Sequence, residues 1–193
     1  MEKTKLKAGI LGSGFAASFH MEALERVYGV TVEVVGVYSP TQENRDSFAE
    51  KHGITAFESQ EALIQACDVV HACVPPSDHE SAAIAALQAD RSVIIEKPFT
   101  GYFGDGSPGF DGRTFSRETG LTEAMESVRR ILAAEAKSKG RILYAENWVY
   151  APAVQKEREI IEKTGAQVLW MHGEEAHSGS HPKFSGICAH SGG

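Results

Sequence analysis

Two clusters in this 193-residue chain combine residue types and spacing that can do chemistry. Near the front, Gly12-Ser13-Gly14-Phe15-Ala16-Ala17 follows an apolar run, Ala8 to Leu11, and opens a helical pattern. This is a G-x-G-x-x-A arrangement in a strand–turn–helix setting. Gly12 permits the tight turn, Gly14 has no Cβ to hold a pyrophosphate away, and Ala17 is small enough for the helix to pack on the strand. The amides around Ser13, Phe15 and Ala16, at the positive end of the helix, then face the phosphates. The second cluster is Glu96-Lys97-Pro98, at the end of the apolar run Val93-Ile94-Ile95. An ammonium there can polarise a carbonyl or stabilise an alkoxide. The plain alternative for Lys97 is a solvated surface lysine. Glu96 either orients Lys97 by pairing with it or closes the strand, and Pro98 shapes the turn.

The elements that must position these clusters alternate along the chain. A helix follows the glycines, with Ala16, Phe19, Ala23 and Val27 spaced as its apolar face. A strand from Thr31 to Tyr38, rich in valine, has the composition of a buried parallel strand. A polar helix runs to His52 and stops at Gly53. A short strand near Ala56 and Phe57 precedes a helix from Ser59 to about Ala66, and Val69 to Val74 forms the next strand, ended by Pro75-Pro76. Ser77 with Glu80 reads as a capping box for a helix that carries His79 and ends near Ala89. Thr100 to Thr119 has five glycines and little periodicity and reads as a long loop. A helix with Leu121, Ala124, Met125, Val128, Ile131 and Leu132 on one face ends near Gly140. A strand at Ile142 to Ala145, a helix over 152–164 and a last strand from Gln167 to His172 complete the pattern. Such β-α repeats with apolar strands predict an α/β fold, a Rossmann-type doubly wound parallel sheet. Ligands in these sheets bind beyond the carboxyl ends of the strands, where the glycine turn, Ser39, the Val74-Pro75 to His79 segment and Glu96-Lys97-Pro98 all fall.

Composition narrows the classes. Hydrophobic residues make up 42% and charged residues 23%, ordinary for a globular domain. The net charge of −7 argues against nucleic acid as a partner. No apolar run approaches the length of a membrane span, and the basic start leads into a strand rather than a leader, so a cytoplasmic protein with no membrane partner is expected. Cys67, Cys73 and Cys188 are expected as reduced thiols.

The G-x-G-x-x-A-x-x-H pattern from Gly12 to His20, the apolar strand leading to Pro75 with His79 after it, and Glu96-Lys97-Pro98 together resemble the glucose-fructose oxidoreductase / inositol dehydrogenase (Gfo/Idh/MocA) family. The stretch Ala145 to Pro152 resembles the family's passage into its second domain, and His177 to His181 a substrate-facing segment of one subgroup. The resemblance implies a dinucleotide-binding domain over 1–147. It also implies that 148–193 is the incomplete start of an α/β open-sheet substrate domain. Roughly 45 residues are marginal as an independent core. It implies a nicotinamide cofactor, and hydride exchange with a hydroxyl or ketone carbon of a sugar, polyol or related small molecule. Members commonly carry a proton-transfer histidine in a later helix, which this sequence does not contain, so the chain as written is expected to bind cofactor and turn over weakly. The family often associates through its open sheets, which makes a homo-oligomer an alternative to a monomer.

Within that frame Lys97 is the expected catalytic residue. The cofactor is expected to contact Gly12, Ser13, Gly14, Phe15, Ala16, Ser39, Thr41, Arg45, Val74, Pro75, His79, Glu96, Lys97 and Asn147. His79 has a surface position as its alternative, and Asn147 has strand-end capping. His20 is expected to pack beneath the cofactor loop. The second strand ends in Ser39 and Thr41, with Arg45 a turn later and no carboxylate; Glu33 lies too early in the strand. Hydroxyls and a guanidinium suit a 2′-phosphate, which favours NADP over NAD. His177 and His181 are expected toward the substrate. The tail's His172, Glu174, Glu175, His177, His181, Cys188 and His190 include two passable zinc spacings, His177-x-x-x-His181 and Cys188-x-His190, but no tidy four-ligand repeat, so no metal is expected. The rival to an enzyme is a non-catalytic dinucleotide-binding module, against which Glu96-Lys97 argues.

Overall fold

The computed structural model describes residues 4–104, 110 and 115–174. Six strands, β1 (Lys5–Leu11), β2 (Thr31–Tyr38), β3 (Thr55–Ala56), β4 (Val69–Ala72), β5 (Ser92–Glu96) and β6 (Ile142–Ala145), form one sheet in the order β3-β2-β1-β4-β5-β6. Every pairing is parallel. The order reverses between β1 and β4, the kind of switch point beyond whose strand ends ligands bind in parallel sheets.

Helices α1 (Phe15–Leu24) and α2 (Gln42–His52) cover one face of the sheet. With Ile10, Val37 and Cys73 they bury Ala17, Met21, Phe48 and Ala49. Helices α3 (Gln60–Ala66), α4 (His79–Gln88) and α5 (Arg117–Glu135) cover the other, where Leu11, Val70, Ala72, Val93 and Ile95 meet Leu63, Ala83, Leu87 and Ile131. Alternation along each strand sends Ile10 to one layer and Leu11 to the other. Burial lifts the Cys67 thiol to about 11, so it stays protonated; Cys67 and Cys73 are both free and buried. No helix among the described residues is long and apolar enough to cross a membrane.

Local signals account for the element ends. Gly53 and Gly165 close α2 and α6 (Pro152–Thr164) in the left-handed region, at φ 63° and 64°. Ser59 and Ser116 cap α3 and α5 through their hydroxyls, which accept from the amides of Ala62 and Thr119.

Several expectations need correction. The buried side of α1 is Ala17 and Met21; Phe19 and Val27 are 56% and 43% exposed, because close packing of Ala17 on β1 sets the helix rotation. β2 is fully buried only at Gly36 and Val37, where β3 pairs with it; Val34 and Val35 are half-buried against the two layers, and Thr31 and Glu33 are exposed. Ser77 and Glu80 form no capping box. A 3-10 turn (Pro76–Asp78) precedes α4, and Glu80 instead forms a two-pronged ion pair with Arg130 of α5. Leu121, Met125 and Leu132 of α5 are exposed, and the helix packs through Gly120, Ser127 and Ile131. Residues 167–172 are not a strand: an extended segment needs a neighbour to bond, and none pairs with it among the described residues.

Gly36 shows how tightly β2 and β3 meet. A Cβ there would lie 2.3 Å from the Thr55 carbonyl oxygen and 2.5 Å from the Phe57 ring. Gly36→Ala is therefore expected to lower unfolding free energy by about 1–3 kcal/mol in urea titrations. An unchanged midpoint would show that this edge yields without cost.

Candidate functional site

The carboxyl ends of the strands bring four loops to one rim. The Gly12 amide donates to the Tyr38 carbonyl at 2.7 Å, and the Cys73 amide to Leu11 at 2.9 Å, so the ends of β2, β1 and β4 are tied in sequence. Gly12 sits at φ 98°, and a Cβ on it would lie 2.3 Å from the Cys73 carbonyl oxygen. Only glycine meets both conditions. Around Gly14, by contrast, there is nothing within 4 Å of a would-be Cβ. The first α1 bond runs from the Ser18 amide to the Gly14 carbonyl, and the amides before it have no acceptor inside the helix. α1 has neither a side-chain cap nor an acidic residue in its first turn, whereas α3 and α5 have both. That open, uncapped and unneutralised helix start fits a diphosphate. Phe15 stands 81% exposed beside it, edge to face with Phe19. Ser13 and Ala16 belong to the same turn.

At the end of β2, Ser39 is buried at 7% exposure and Thr41 is exposed, its side chain making no cap bond to α2. Arg45 folds back so that a guanidinium nitrogen donates to the Ser39 carbonyl at 3.3 Å. Its Nε is buried and lacks a hydrogen bond, with the Asp46 carboxylate 3.6 Å away. An unsatisfied guanidinium N–H at this position fits an anionic group on a ribose. Glu33 lies at the opposite end of the strand, paired with Lys5 at 2.7 Å.

His79 is 1% exposed, and its ring spans the loops after β4 and β5. Nδ1 lies 2.9 Å from the Pro98 carbonyl and Nε2 3.2 Å from the Val74 carbonyl. It is not the surface residue that its helix-start position allowed: the ring is buried and both nitrogens face main-chain oxygens. Val74 is half-buried, Pro75 exposed, and the Lys97-Pro98 peptide is cis. Lys97 is exposed and its ammonium forms no ion pair among the described residues. Glu96 does not pair with that ammonium. One carboxylate oxygen accepts the Lys97 amide at 3.1 Å and the other lies 2.9 Å from His20 Nε2. This bond, foremost, and the positive charge of Lys97 hold the Glu96 carboxyl below its ordinary value despite partial burial. Asn147 is exposed after β6, and its side chain caps nothing. His177 and His181, with Glu175, Cys188 and His190, lie outside the described residues.

His71 escaped the sequence reading. It is 5% exposed on β4, and its Nδ1 is 2.7 Å from His20 Nδ1. The signal was a lone polar residue inside an apolar strand, on the face opposite Val70 and Ala72. Burial, reinforced by repulsion from His20, pulls His71 down from 6.5 to about 3. Between those values the unfolded chain takes up a proton that the folded one refuses, so stability falls as pH falls through this window, by up to about 1.4 kcal/mol per pH unit. The lowered Glu96 and Glu80 carboxyls act in the same sense, from about 4.5 downward. His71→Asn is expected to flatten the melting-temperature profile between about pH 6 and pH 4.5. A slope identical to that of the unaltered protein would contradict a buried neutral His71.

Comparison with known proteins places this geometry. Glucose-6-phosphate 3-dehydrogenase of Bacillus subtilis is 36% identical over 92 residues, covering 48% of this chain and 26% of that protein. Inositol 2-dehydrogenase of Salmonella typhimurium is 25% identical over 190 residues, 93% of this chain and 48% of the relative. The chain thus spans about half, or less, of the length of the curated relatives it matches. Among solved structures, UDP-N-acetylglucosamine 3-dehydrogenase of Acidithiobacillus ferrooxidans superposes with a TM-score of 0.64 at 22% identity, over 83% of this chain and 44% of that one. The WlbA dehydrogenase of Bordetella pertussis, solved with NADH and UDP-GlcNAcA, gives 0.65 at 20%, over 84% and 41%. These two likenesses speak for the fold. Residues 6–107, which hold the glycine turn, the switch point and Glu96-Lys97-Pro98, match the GFO_IDH_MocA oxidoreductase family with its NAD-binding Rossmann fold, and to that family this chain belongs.

Proposed function

We propose that this chain binds a nicotinamide dinucleotide, NADP in preference to NAD, and serves hydride exchange with a hydroxyl or ketone carbon of a sugar, polyol or related small molecule. The observation that carries this reading is the convergence of the loops after β1, β2, β4 and β5 around the uncapped start of α1. The amides from Ser13 to Ala16 would hold the diphosphate. Ser39, Thr41 and Arg45 would hold the adenosine ribose and its 2′-phosphate; a carboxylate at that strand end would repel the phosphate, and the sequence has none from Ser39 to Thr41. Val74 and Pro75 would form the crevice wall, with His79 acting indirectly by joining that wall to the β5 loop. Glu96, Lys97 and Asn147 would line the nicotinamide end.

The bound nicotinamide supplies the hydride chemistry. The chain's own contribution is orientation and charge. The Lys97 ammonium, in no ion pair among the described residues, would stabilise negative charge on the substrate oxygen, where an unpaired cation is worth more than one already neutralised by a carboxylate. Its backbone is held by Glu96, while its side chain is left to the substrate. We read 1–147 as the dinucleotide-binding domain and 148–193 as part of a second domain toward the substrate. The sugar and inositol dehydrogenases among the relatives support the substrate class.

Titration with NADPH and NADH is expected to show both binding, NADPH more tightly. Gly14→Val should weaken both by about tenfold or more and leave the melting temperature nearly unchanged, since no protein atom lies within 4 Å of the added Cβ. Lys97→Ala should lower NADPH affinity by about tenfold and abolish cofactor reduction with polyols and sugars. Absence of binding by the folded protein would refute the reading. Binding without turnover under any of these substrates would favour a non-catalytic dinucleotide-binding module instead.

A further inference from the structure

Behind Glu96 stands a pair of imidazoles that dinucleotide binding leaves without a task. His20 of α1 reaches Glu96 with Nε2 at 2.9 Å and His71 with Nδ1 at 2.7 Å. The two rings meet edge to face, centroids 5.1 Å apart. A carboxylate only accepts, so the His20 Nε2–H donates to Glu96. Two facing Nδ1 atoms need one proton between them. His71 supplies that proton to a neutral His20, and an imidazolium His20 supplies it to His71; in both cases the His20 Nε2–H donates to Glu96. The three groups are therefore bonded in series, His71 to His20 to Glu96, so the orientation of each ring constrains the next. The far carboxylate oxygen accepts the Lys97 amide.

The anchoring end is rigid. His71 lies in register between Ile10 of β1 and Ile94 of β5, under α1, and has no room to turn away. His20 is itself largely covered, with 13% of its side chain exposed. The other ionisable groups in the field of Glu96 are Lys97, Cys73 and Tyr144, and neither of the last two is hydrogen-bonded to it.

We propose that His20 and His71 are positioning residues: in series they lock the Glu96 carboxylate in one orientation, and through its second oxygen they fix the direction in which Lys97 leaves the end of β5. This rests on the reading of Lys97 as the group at the nicotinamide end. It assigns a pair of histidines, distant in sequence from Lys97, to the same reacting corner.

The test follows the Glu96 carboxyl by carbon-13 NMR titration in the unaltered chain, in His20→Ala, His20→Gln and His71→Phe, and in the double variant His20→Ala/His71→Phe. His20→Ala should move the Glu96 midpoint upward. His71→Phe should move it in the same direction by less, and the double variant should go no further than His20→Ala, because His71 acts only through His20. His20→Gln, which keeps an N–H donor, should restore part of the effect. If His71→Phe does not fold, as judged by circular dichroism, His71→Asn takes its place. NADPH affinity should fall by about tenfold in His20→Ala, while 2′-phospho-ADP-ribose, which lacks the nicotinamide, should bind as before. A Glu96 midpoint indifferent to His20, additive effects of the two histidines, or equal loss of both ligands would each overturn the proposal. If neither ligand binds the unaltered chain, the functional reading fails, and the lock on Glu96 still stands or falls on the titration.

Discussion

The ends of β1 and β4 approach so closely that no side-chain carbon fits between them. The Gly12 backbone lies against the Cys73 carbonyl, and the Cys73 amide bonds back to Leu11. On its other side the Gly12 amide is held by Tyr38. One residue therefore joins three strand ends, and the chain leaving it has a single way to turn, into α1. The direction of α1 sets where its free amides point and which of its residues face the sheet. His20 meets His71 and Glu96 only because Ala17 has brought the helix close to β1. The site is thus assembled from backbone contacts before any charged side chain contributes.

The two layers of the sheet do different work. The layer under α3, α4 and α5 is apolar throughout, with Val70, Ala72, Val93 and Ile95 fully buried. The layer under α1 carries His71 and Glu96 on β4 and β5, amid otherwise apolar neighbours. Burying an imidazole costs free energy unless its nitrogens are bonded, and an apolar residue at position 71 would pack at lower cost. What the apolar residue would lose is direction. Hydrogen bonds fix angles and tautomers where dispersion fixes only proximity, and the corner where Lys97 emerges is the place in this fold where direction matters most.

Where the sequence carried a local cause, the structure was readable in advance. The extents of β2, β6 and α6, the stop of α2 at Gly53 and the cap at Ser59 each depend on a few neighbouring residues. The parallel sheet and the gathering of the glycine turn, Pro75 and Glu96-Lys97-Pro98 at one rim followed from alternation alone. What eluded the reading was set at long range. The apolar spacing of Phe19, Ala23 and Val27 pointed to the wrong side of α1, because the demand for a small residue against β1 outweighs an apolar stripe. Glu80 had the spacing of a cap, yet Arg130, fifty residues away, claimed it. His79 and His71 were visible as residues, but their partners lie on loops and strands whose adjacency only the folded sheet creates. Residues 167–172 show the converse, a strand-like composition without a neighbouring strand to realise it.

The bare start of α1 has an energetic corollary. α3 and α5 quench their first amides with serine hydroxyls, so their ends are held by the chain itself. α1 leaves the same groups to solvent, at a turn whose conformation already strains every residue but glycine. Any anion seated there would supply the missing acceptors and couple its occupancy to the order of the helix's opening turn, adding RT ln(1 + [L]/Kd) to the stability of the whole domain. Occupancy of that turn and cohesion of the domain would therefore rise together.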